Sequence, residues 1–185
     1  MTSKYRDIAF TASVRRAQDQ FGGRQLTGAV DPSTPEDRLT PAEAEFISAR
    51  DGFYLASVGE DGWPYVQFRG GPPGFLKVLD PATLAYADFR GNRQYISMGN
   101  VDANDRVSLF FMDYAGQRRL KLYARAEVHA AADRPDLAES VADPEYPAHI
   151  ERVIVLRVVA YDWNCPQHIT PRYTAQEMRE LEAGR

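Results

Sequence analysis

The sequence has 185 residues, a formal net charge of −4 and a pI near 5.4, which fits one globular domain with a sizeable core. The acidic balance argues against a protein that wraps nucleic acid, because such proteins carry a basic excess. The chain has one cysteine, no segment near the ~20 apolar residues of a membrane-spanning helix and no apolar core of a signal peptide, so we expect a cytoplasmic protein without nucleic-acid or membrane partners.

The first 39 residues are polar and carry scattered glycines and prolines, so they are predicted to form an N-terminal arm. Within this arm, apolar residues at helical spacing predict a short helix over residues 11–22, and residues 22–38 are predicted to be extended. A second helix is predicted to begin after Thr40, which can cap its N-terminus while Glu43 completes a capping box.

From residue 53 onward, short apolar runs alternate with turn sequences, which is the pattern of β-strands. The runs are FYLASVG, WPYVQFR, FLKVL, TLAYADF, VSLFFMDY, RRLKLYARAEVHA and RVIVLRVVAYDW. Most of them are joined by tight turns, which implies antiparallel pairing. The sequence therefore predicts a mainly β fold with flanking helices, in which six to seven antiparallel strands form a closed or nearly closed barrel.

Two helices are predicted in the second half of the chain. Residues 133–150 are acidic and carry prolines, and they are predicted to form a loop with a short helix. Residues 174–185 are predicted to form a polar C-terminal helix capped by Thr174.

The common catalytic and metal-binding motifs are absent from the sequence. It contains no GxSxG, HExxH or CxxC motif and no phosphate loop ending in GK[ST]. Its three histidines lie far apart, so no metal site is predicted. Cys165 precedes a proline and is predicted to be a buried structural thiol. These absences leave cofactor-dependent chemistry or binding as the function to look for.

The best candidate site is DFRGNRQYISMGN, residues 88–100, between two apolar runs. Its polar candidates are Arg90, Asn92, Arg93, Gln94 and Ser97. The two guanidinium groups suit phosphate oxygens, and Gly91 lets backbone amides approach a ligand closely. If NRQYISMGN, residues 92–100, forms one short helix, its N-terminal amides would also favour an anion. A polar surface turn that opens a short helix accounts for the same residues, and composition alone does not decide between the two interpretations.

The strand WPYVQFR adds a second polar feature upstream. Gln67 and Arg69 alternate with apolar residues, so both side chains point to one face of the strand. Such a face can line a polar site at the rim of a barrel, and it can equally be a solvated surface.

Taken together, GWPYVQFRGG, LAYADFRGNRQYISMGN, NDRVSLFFMD and RRLKLYARAEV resemble the pyridoxamine 5′-phosphate oxidase-like split-barrel proteins that bind FMN. The order and spacing of these motifs agree over roughly residues 40–165. The resemblance implies a split β-barrel domain at 40–173, between the arm at 1–39 and the helix at 174–185. It also implies FMN as the cofactor, with two FMN sites built at the interface of a homodimer.

The resemblance carries site residues with it, position by position. Arg93 matches the phosphate-binding arginine of the family, and Gln94 stands where a lysine is usual. Gln67 stands where the oxidases often have an arginine near the flavin, and Arg119 aligns with a glutamine that contacts the flavin. Trp163 resembles a C-terminal tryptophan that reaches the cofactor of the partner subunit.

The C-terminal WNCPQHITPRY is similar to a subgroup of FMN-binding, oxidase-related proteins of unassigned substrate. Asn164 and Gln167 would then contact the isoalloxazine edge or a substrate. In true pyridoxamine phosphate oxidases a lysine follows the first motif strand, and a characteristic R-x-H or R-x-D element lies near the C-terminus. This chain has GGPPG and a charged helix in those places. We therefore do not expect pyridoxamine phosphate to be the substrate.

The function implied by the resemblance is an FMN-dependent oxidoreductase acting on a small molecule, with a nicotinamide as a candidate electron donor. Two alternatives remain open. One is a flavin-binding or stress-response module without turnover of its own. The other is a split barrel that binds a deazaflavin or haem, and haem would need His129, His149 or His168 as axial ligand.

Overall fold

One antiparallel sheet of seven strands organises the computed structural model, which describes residues 2–23, 31, 33–144, 146 and 148–183. The strands are β1 (Gly52–Val58), β2 (Pro64–Gly70), β3 (Lys77–Asp80), β4 (Thr83–Phe89), β5 (Arg106–Asp113), β6 (Arg118–Ala130) and β7 (Ile150–Trp163). They are hydrogen-bonded in the order β2-β1-β5-β6-β7-β4-β3. The predicted antiparallel split β-barrel is confirmed, with seven strands.

Short helices flank the sheet. They are α1 (Ser3–Ala9), α2 (Ala12–Gln20), α3 (Pro41–Ser48), α4 (Ile96–Ala103), α5 (Pro135–Val141) and α6 (Ala175–Ala183). The helices predicted at 11–22, after Thr40, within 133–150 and after Thr174 are confirmed, whereas α1 was not predicted. Most of the predicted extended stretch 22–38 lies outside the described residues. Within the described part of the chain, no helix is long and apolar enough to cross a membrane.

The start of α3 is fixed by the capping box that the sequence predicts. The carboxylate of Glu43 accepts a hydrogen bond from the backbone N–H of Thr40 at 3.1 Å. Its other oxygen accepts from the indole Nε1 of Trp163 at 2.7 Å. The ring of Phe46 meets the same indole edge-on at 4.7 Å between centroids. One carboxylate therefore both caps α3 and ties it to the end of β7.

The core fills the inside of the curved sheet. Its fully buried members come from β1, β4, β5, β6 and β7 and include Phe53, Leu84, Leu109, Phe111, Leu120, Leu122 and Leu156. Burying side chains of this size stabilises a fold by roughly 1.5–3 kcal/mol each. The inner positions alternate with outer ones along each strand, so the strand pattern read from the sequence sets which face is apolar.

The two end strands of the sheet, β2 and β3, lie at opposite ends of the hydrogen-bonding order. An ion pair nevertheless crosses between them, because Arg69 on the end strand β2 reaches Asp88 on β4, the neighbour of the other end strand, at 3.1 Å. Asp88 is only 5% exposed. The split of the barrel is therefore closed at this point by side chains and not by backbone pairing.

The segment after β7 runs along the surface and is anchored at one residue. Ile169 is buried, and its carbonyl accepts a hydrogen bond from the Gln117 side chain at 2.7 Å. Cys165, by contrast, is exposed. The predicted burial of this thiol is wrong, because the chain leaves the sheet at Trp163 and the cysteine follows in the surface segment.

Candidate functional site

A polar cavity of about 320 Å³ lies between β2, the end of β4 and the segment that leads into α4. Seven of the predicted site residues line it: Gln67, Arg69, Arg90, Asn92, Arg93, Gln94 and Ser97. Arg152 on β7 also lines it and was not predicted, because nothing near it in sequence suggests a site. With four guanidinium groups around one carboxylate, that of Asp88, this space is referred to as the cationic cavity.

The backbone of the segment leading into α4 is unusual. Gly91, Arg93 and Tyr95 all have positive φ, at 48°, 59° and 52°. Non-glycine residues rarely adopt this left-handed conformation, which costs roughly 1–2 kcal/mol each. The side chain of Asn92 supports the turn, since its Oδ1 accepts a hydrogen bond from the backbone N–H of Gln94 at 3.2 Å. The predicted helix therefore begins only at Ile96, and the arginines precede it.

Arg90 and Arg93 are exposed at the mouth of the cationic cavity. Neither forms an ion pair with any other described residue. Their guanidinium groups are therefore available to an anion, for which forked N–H donors are well suited.

Arg69 and Arg152 play a different part, because both bind Asp88. Arg69 reaches one carboxylate oxygen at 3.1 Å, and the Nε and Nη2 atoms of Arg152 reach the other at 3.0 and 2.9 Å. The Arg152 guanidinium also lies over the ring of Tyr95 at 4.7 Å. These contacts connect β2, β4, β7 and the segment before α4, so they fix the wall of the cavity.

The pKa values of Arg152 and of the nearby Tyr86 are both shifted by their surroundings. Burial lowers the pKa of Arg152, but the hydrogen bond and charge of Asp88 outweigh it and raise the pKa above its ordinary value. Burial raises the pKa of the neighbouring Tyr86 phenol to about 12, so the phenol is neutral at physiological pH. The cationic cavity is lined by four arginines and one aspartate, and this excess of basic side chains favours a phosphate-sized anion.

The first turn of α4 completes the cavity. Ser97 is buried and donates a hydrogen bond to the Gln67 side-chain oxygen at 2.9 Å, which joins α4 to β2. Asn100, one turn later, donates to the Ser57 hydroxyl at 3.0 Å. The unsatisfied amides at a helix N-terminus favour negative charge, so the held start of α4 adds to the attraction of the arginines.

The other four predicted residues do not line the cationic cavity: Arg119, Trp163, Asn164 and Gln167. Three of them cluster at the start of β6 and the end of β7, where the Asn164 N–H donates to the Arg119 carbonyl at 3.1 Å and Trp163 packs on α3. The Nε atom of Arg119 is buried and has no hydrogen-bond partner among the described residues. Gln167 is exposed. Contact of these residues with a cofactor stays a prediction.

The outer side of β1 and β2 carries a group of exposed apolar residues, called the apolar sheet face below. It consists of Tyr54, Val58, Trp63, Val66 and Phe68. Tyr54 is opposite Phe68 in the register, with the two rings 5.5 Å apart. Val66 is 60% exposed and Phe68 is 59% exposed. A contiguous apolar surface of this kind marks an interaction site more often than a solvated one.

Comparison with known proteins places these features in a family. A sequence model described as pyridoxamine 5′-phosphate oxidase matches residues 39–161. No curated protein is a significant match to the sequence.

Several solved structures share the fold. A putative pyridoxamine 5′-phosphate oxidase from Lactobacillus delbrueckii is 26% identical, with a TM-score of 0.52 over 68% of this chain and 93% of that one. HupZ from Group A Streptococcus is 14% identical, with a TM-score of 0.53 over 73% of this chain and 99% of that one. An FMN-binding protein from Syntrophomonas wolfei is 12% identical, with a TM-score of 0.51 over 83% and 95% of the two chains.

Proposed function

This chain belongs to the pyridoxamine 5′-phosphate oxidase family, and from that premise we propose that it binds FMN with the phosphate in the cationic cavity. The observation that carries the proposal is the pair of uncommitted guanidinium groups of Arg90 and Arg93 at the mouth of that cavity. Both arginines lie within the residues matched by the family model. Arg93 itself has a positive φ angle, which non-glycine residues rarely adopt.

The donor set of the cavity fits a phosphate monoester. Arg90 and Arg93 would donate charge-assisted hydrogen bonds, and Ser97 with Gln67 would add neutral contacts. Gln94 supplies no charge at a position where the family has a lysine. We propose that the four guanidinium groups of the wall and its mouth make up for that loss, since the cavity is strongly cationic without a lysine at position 94.

Bound FMN would supply reversible transfer of a hydride or of single electrons, which is chemistry that protein side chains do not provide. The chain's own residues would bind the cofactor by its phosphate at the mouth of the cationic cavity. Tyr86, with a pKa raised by burial to about 12, remains protonated near pH 7 and cannot act as a base. We therefore propose an oxidoreductase of a small molecule in which the flavin carries the reaction, with a nicotinamide as a suitable electron donor.

FMN is favoured over haem by the lining of the cavity. Its described lining residues are rich in arginine and contain no histidine that would ligate iron. His129 instead lies beside Glu127 at 3.2 Å, on β6. Purified protein is expected to be yellow with flavin absorbance, and a Soret band would contradict the choice of FMN.

We further propose that the chain forms a homodimer through the apolar sheet face. This face is exposed in the single chain, and its residues sit on the end strand β2 and its neighbour β1. In a shared site, Trp163 would reach the cofactor of the partner subunit, Arg119 would contact the flavin, and Asn164 and Gln167 would contact the isoalloxazine edge or a substrate. A cytoplasmic location and the absence of nucleic-acid and membrane partners stay predictions from composition.

The test of FMN binding is a fluorescence titration of FMN into apoprotein. Arg93→Ala is expected to weaken binding about 10- to 100-fold, because charge-assisted hydrogen bonds contribute about 1.5–3 kcal/mol. Arg179→Ala, an exposed arginine on α6, is the matched control and should leave the affinity unchanged. Equal affinity of the Arg93 variant would remove Arg93 from the site. Wild-type protein that takes up no FMN would refute the proposal as a whole.

A further inference from the structure

Tyr95 is the residue at which the chain passes from the mouth of the cationic cavity into α4. Its backbone is left-handed, with φ 52° and ψ 22°. Its carbonyl accepts the first hydrogen bond of the helix, from the Gly99 N–H at 2.9 Å. A tyrosine rarely adopts this conformation, because its β-carbon crowds the backbone there. The angle at which the chain enters α4 therefore depends on a backbone conformation that the residue type disfavours.

The ring of Tyr95 lies against a guanidinium group that is itself fixed. The Arg152 guanidinium is 4.7 Å from the centre of the ring. Its Nε and Nη2 atoms lie 3.0 and 2.9 Å from the Asp88 carboxylate, and Nη2 also lies 2.9 Å from a carboxylate oxygen of Glu151. The Arg152 side chain is only 16% exposed, so the ring meets a cation that is largely removed from water. Such a contact is stronger than one at an exposed site.

The contact is strong enough to matter for the backbone. The attraction between an aromatic ring and a desolvated guanidinium group is of the same order as the cost of one left-handed residue. The stack of Tyr95 on Arg152 can therefore hold a conformation that the tyrosine would otherwise leave.

Arg93 depends on the same turn, because it stands two residues before Tyr95 and is also left-handed, with φ 59°. Arg93, Tyr95 and Arg152 all line the cationic cavity. A change of φ at position 95 would redirect the chain on both sides of it. Arg93 and the first amides of α4 would then no longer face the same space.

We propose that Tyr95 is a positioning residue of the anion site, whose stack on Arg152 holds the turn that brings Arg93 and the start of α4 to the cationic cavity. This role rests on the proposed function, which takes the phosphate of FMN as the anion. Arg152 then acts through Tyr95 and Asp88, whereas Arg93 contacts the phosphate itself. Loss of the ring weakens binding without removing a charge from the cavity.

Fluorescence titration of FMN into three variants of the apoprotein tests this role. Tyr95→Ala removes the ring and keeps a β-carbon at the left-handed position, so it should weaken FMN binding about 3- to 10-fold. Tyr95→Phe keeps the ring over Arg152 and should bind within about 2-fold of the wild type. Tyr95→Gly lacks the ring but adopts positive φ freely, so its affinity should lie between those of the other two variants.

The dependence of binding on salt separates positioning from direct contact. Arg93→Ala removes a charge, so its affinity should vary less between low and high salt than that of the wild type. Tyr95→Ala should keep the salt dependence of the wild type. The matched control is Tyr173→Ala, because Tyr173 is 48% exposed against 42% for Tyr95 and lines a different surface pocket. The control should bind FMN as the wild type does.

Wild-type affinity in Tyr95→Ala would overturn the positioning role. Equal affinities of Tyr95→Ala and Tyr95→Gly would also overturn it, since the left-handed backbone would then make no difference. A loss in Tyr95→Phe as large as that in Tyr95→Ala would assign the effect to the hydroxyl group and not to the stack. If Tyr95→Ala does not fold, weaker binding by Tyr95→Gly than by Tyr95→Phe is the expected result and equal binding the contrary one. All these outcomes leave FMN uptake by the wild type intact, whereas a wild type that takes up no FMN would refute the proposed function and this role with it.

Discussion

At the residue scale, Asp88 fixes the wall of the cationic cavity, since its buried carboxylate accepts hydrogen bonds from both Arg69 and Arg152. Removing the negative charge of Asp88 leaves the partly buried guanidinium groups of Arg69 and Arg152 without a counter-charge. Asp88→Asn is therefore expected to lower the free energy of unfolding by about 3 kcal/mol. Urea unfolding followed by tryptophan fluorescence measures the change.

The matched control for this substitution is Asp136→Asn. Asp136 also binds an arginine, Arg134, at 2.6 Å, but both side chains are largely exposed. Exposed ion pairs contribute less than about 1 kcal/mol. If both variants lose the same free energy of unfolding, the ion pairs of Asp88 stabilise the fold no more than the exposed pair of Asp136 does.

Gln94 is the position at which the chain departs from its family in the phosphate segment. Its side chain is exposed at the mouth of the cationic cavity, so a lysine there has room to reach an anion. Gln94→Lys is expected to tighten FMN binding about 3- to 10-fold and to steepen its salt dependence. FMN titrations at low and high salt check this, with Gln176→Lys on α6 as control. Weaker binding by Gln94→Lys would show that the phosphate lies elsewhere.

The sequence identified the residues of the cationic cavity that lie in two short stretches, around Gln67 and around Arg93. It missed Arg152, because this arginine enters the cavity only through the pairing of β7 with β4. It also missed the engagement of Trp163 with Glu43, since a contact between the end of β7 and α3 has no local signal. The residue types in a short stretch indicate which ligand it can bind, whereas strand pairing over long sequence distances decides which side chains lie close together.

At the scale of elements, the stability of α3 depends on pH through its capping residue Glu43. Burial raises the pKa of Glu43, but the hydrogen bonds from Thr40 and Trp163 outweigh it and hold the pKa below the ordinary 4.5. A carboxyl group with a lowered folded-state pKa stabilises the fold above its unfolded-state pKa. That stabilisation is lost as the pH falls through the folded-state value.

Glu43→Gln is accordingly expected to cost about 1–2 kcal/mol of stability at pH 7, and less when the pH falls below 4.5. Urea unfolding at neutral and acidic pH measures the difference between variant and wild type. Glu45→Gln, an exposed change on the same helix, should cost little at either pH. A Glu43→Gln difference that does not shrink on acidification would contradict the role of its charge.

The elements themselves were largely predictable, for reasons that differ between them. The strands follow from alternating apolar residues and turn sequences, and α3 follows from its capping box. The start of α4 was placed too early, because the positive φ angles of Arg93 and Tyr95 have no signature in side chains that usually avoid them. Helix α1 was missed because Tyr5, its one buried residue, is held by stacking on Tyr123 from β6.

At the scale of the whole molecule, the order of strands could not be read from the runs alone. Neighbours such as β1 and β5, or β4 and β7, are separated by long stretches of chain. The family resemblance predicted an antiparallel split barrel but not this order of strands. The Arg69–Asp88 ion pair joins the end strand β2 to β4, and both residues line the cationic cavity, which therefore lies at the split of the barrel.

The apolar sheet face provides the test of assembly. Val66 belongs to this face and is 60% exposed, opposite Ala56 in the register. It does not line the cationic cavity. Val66→Asp is expected to convert a dimer into a monomer, because dimerisation would bury the new charge without a partner. Analytical ultracentrifugation measures the change in mass. Leu79→Asp is the control, since Leu79 is 39% exposed on β3, at the opposite end of the strand order from β2. If the FMN site is shared between subunits, the monomeric variant should also lose affinity for FMN. A wild-type monomer that binds FMN tightly would contradict the shared site, and a Val66→Asp dimer would place the interface elsewhere.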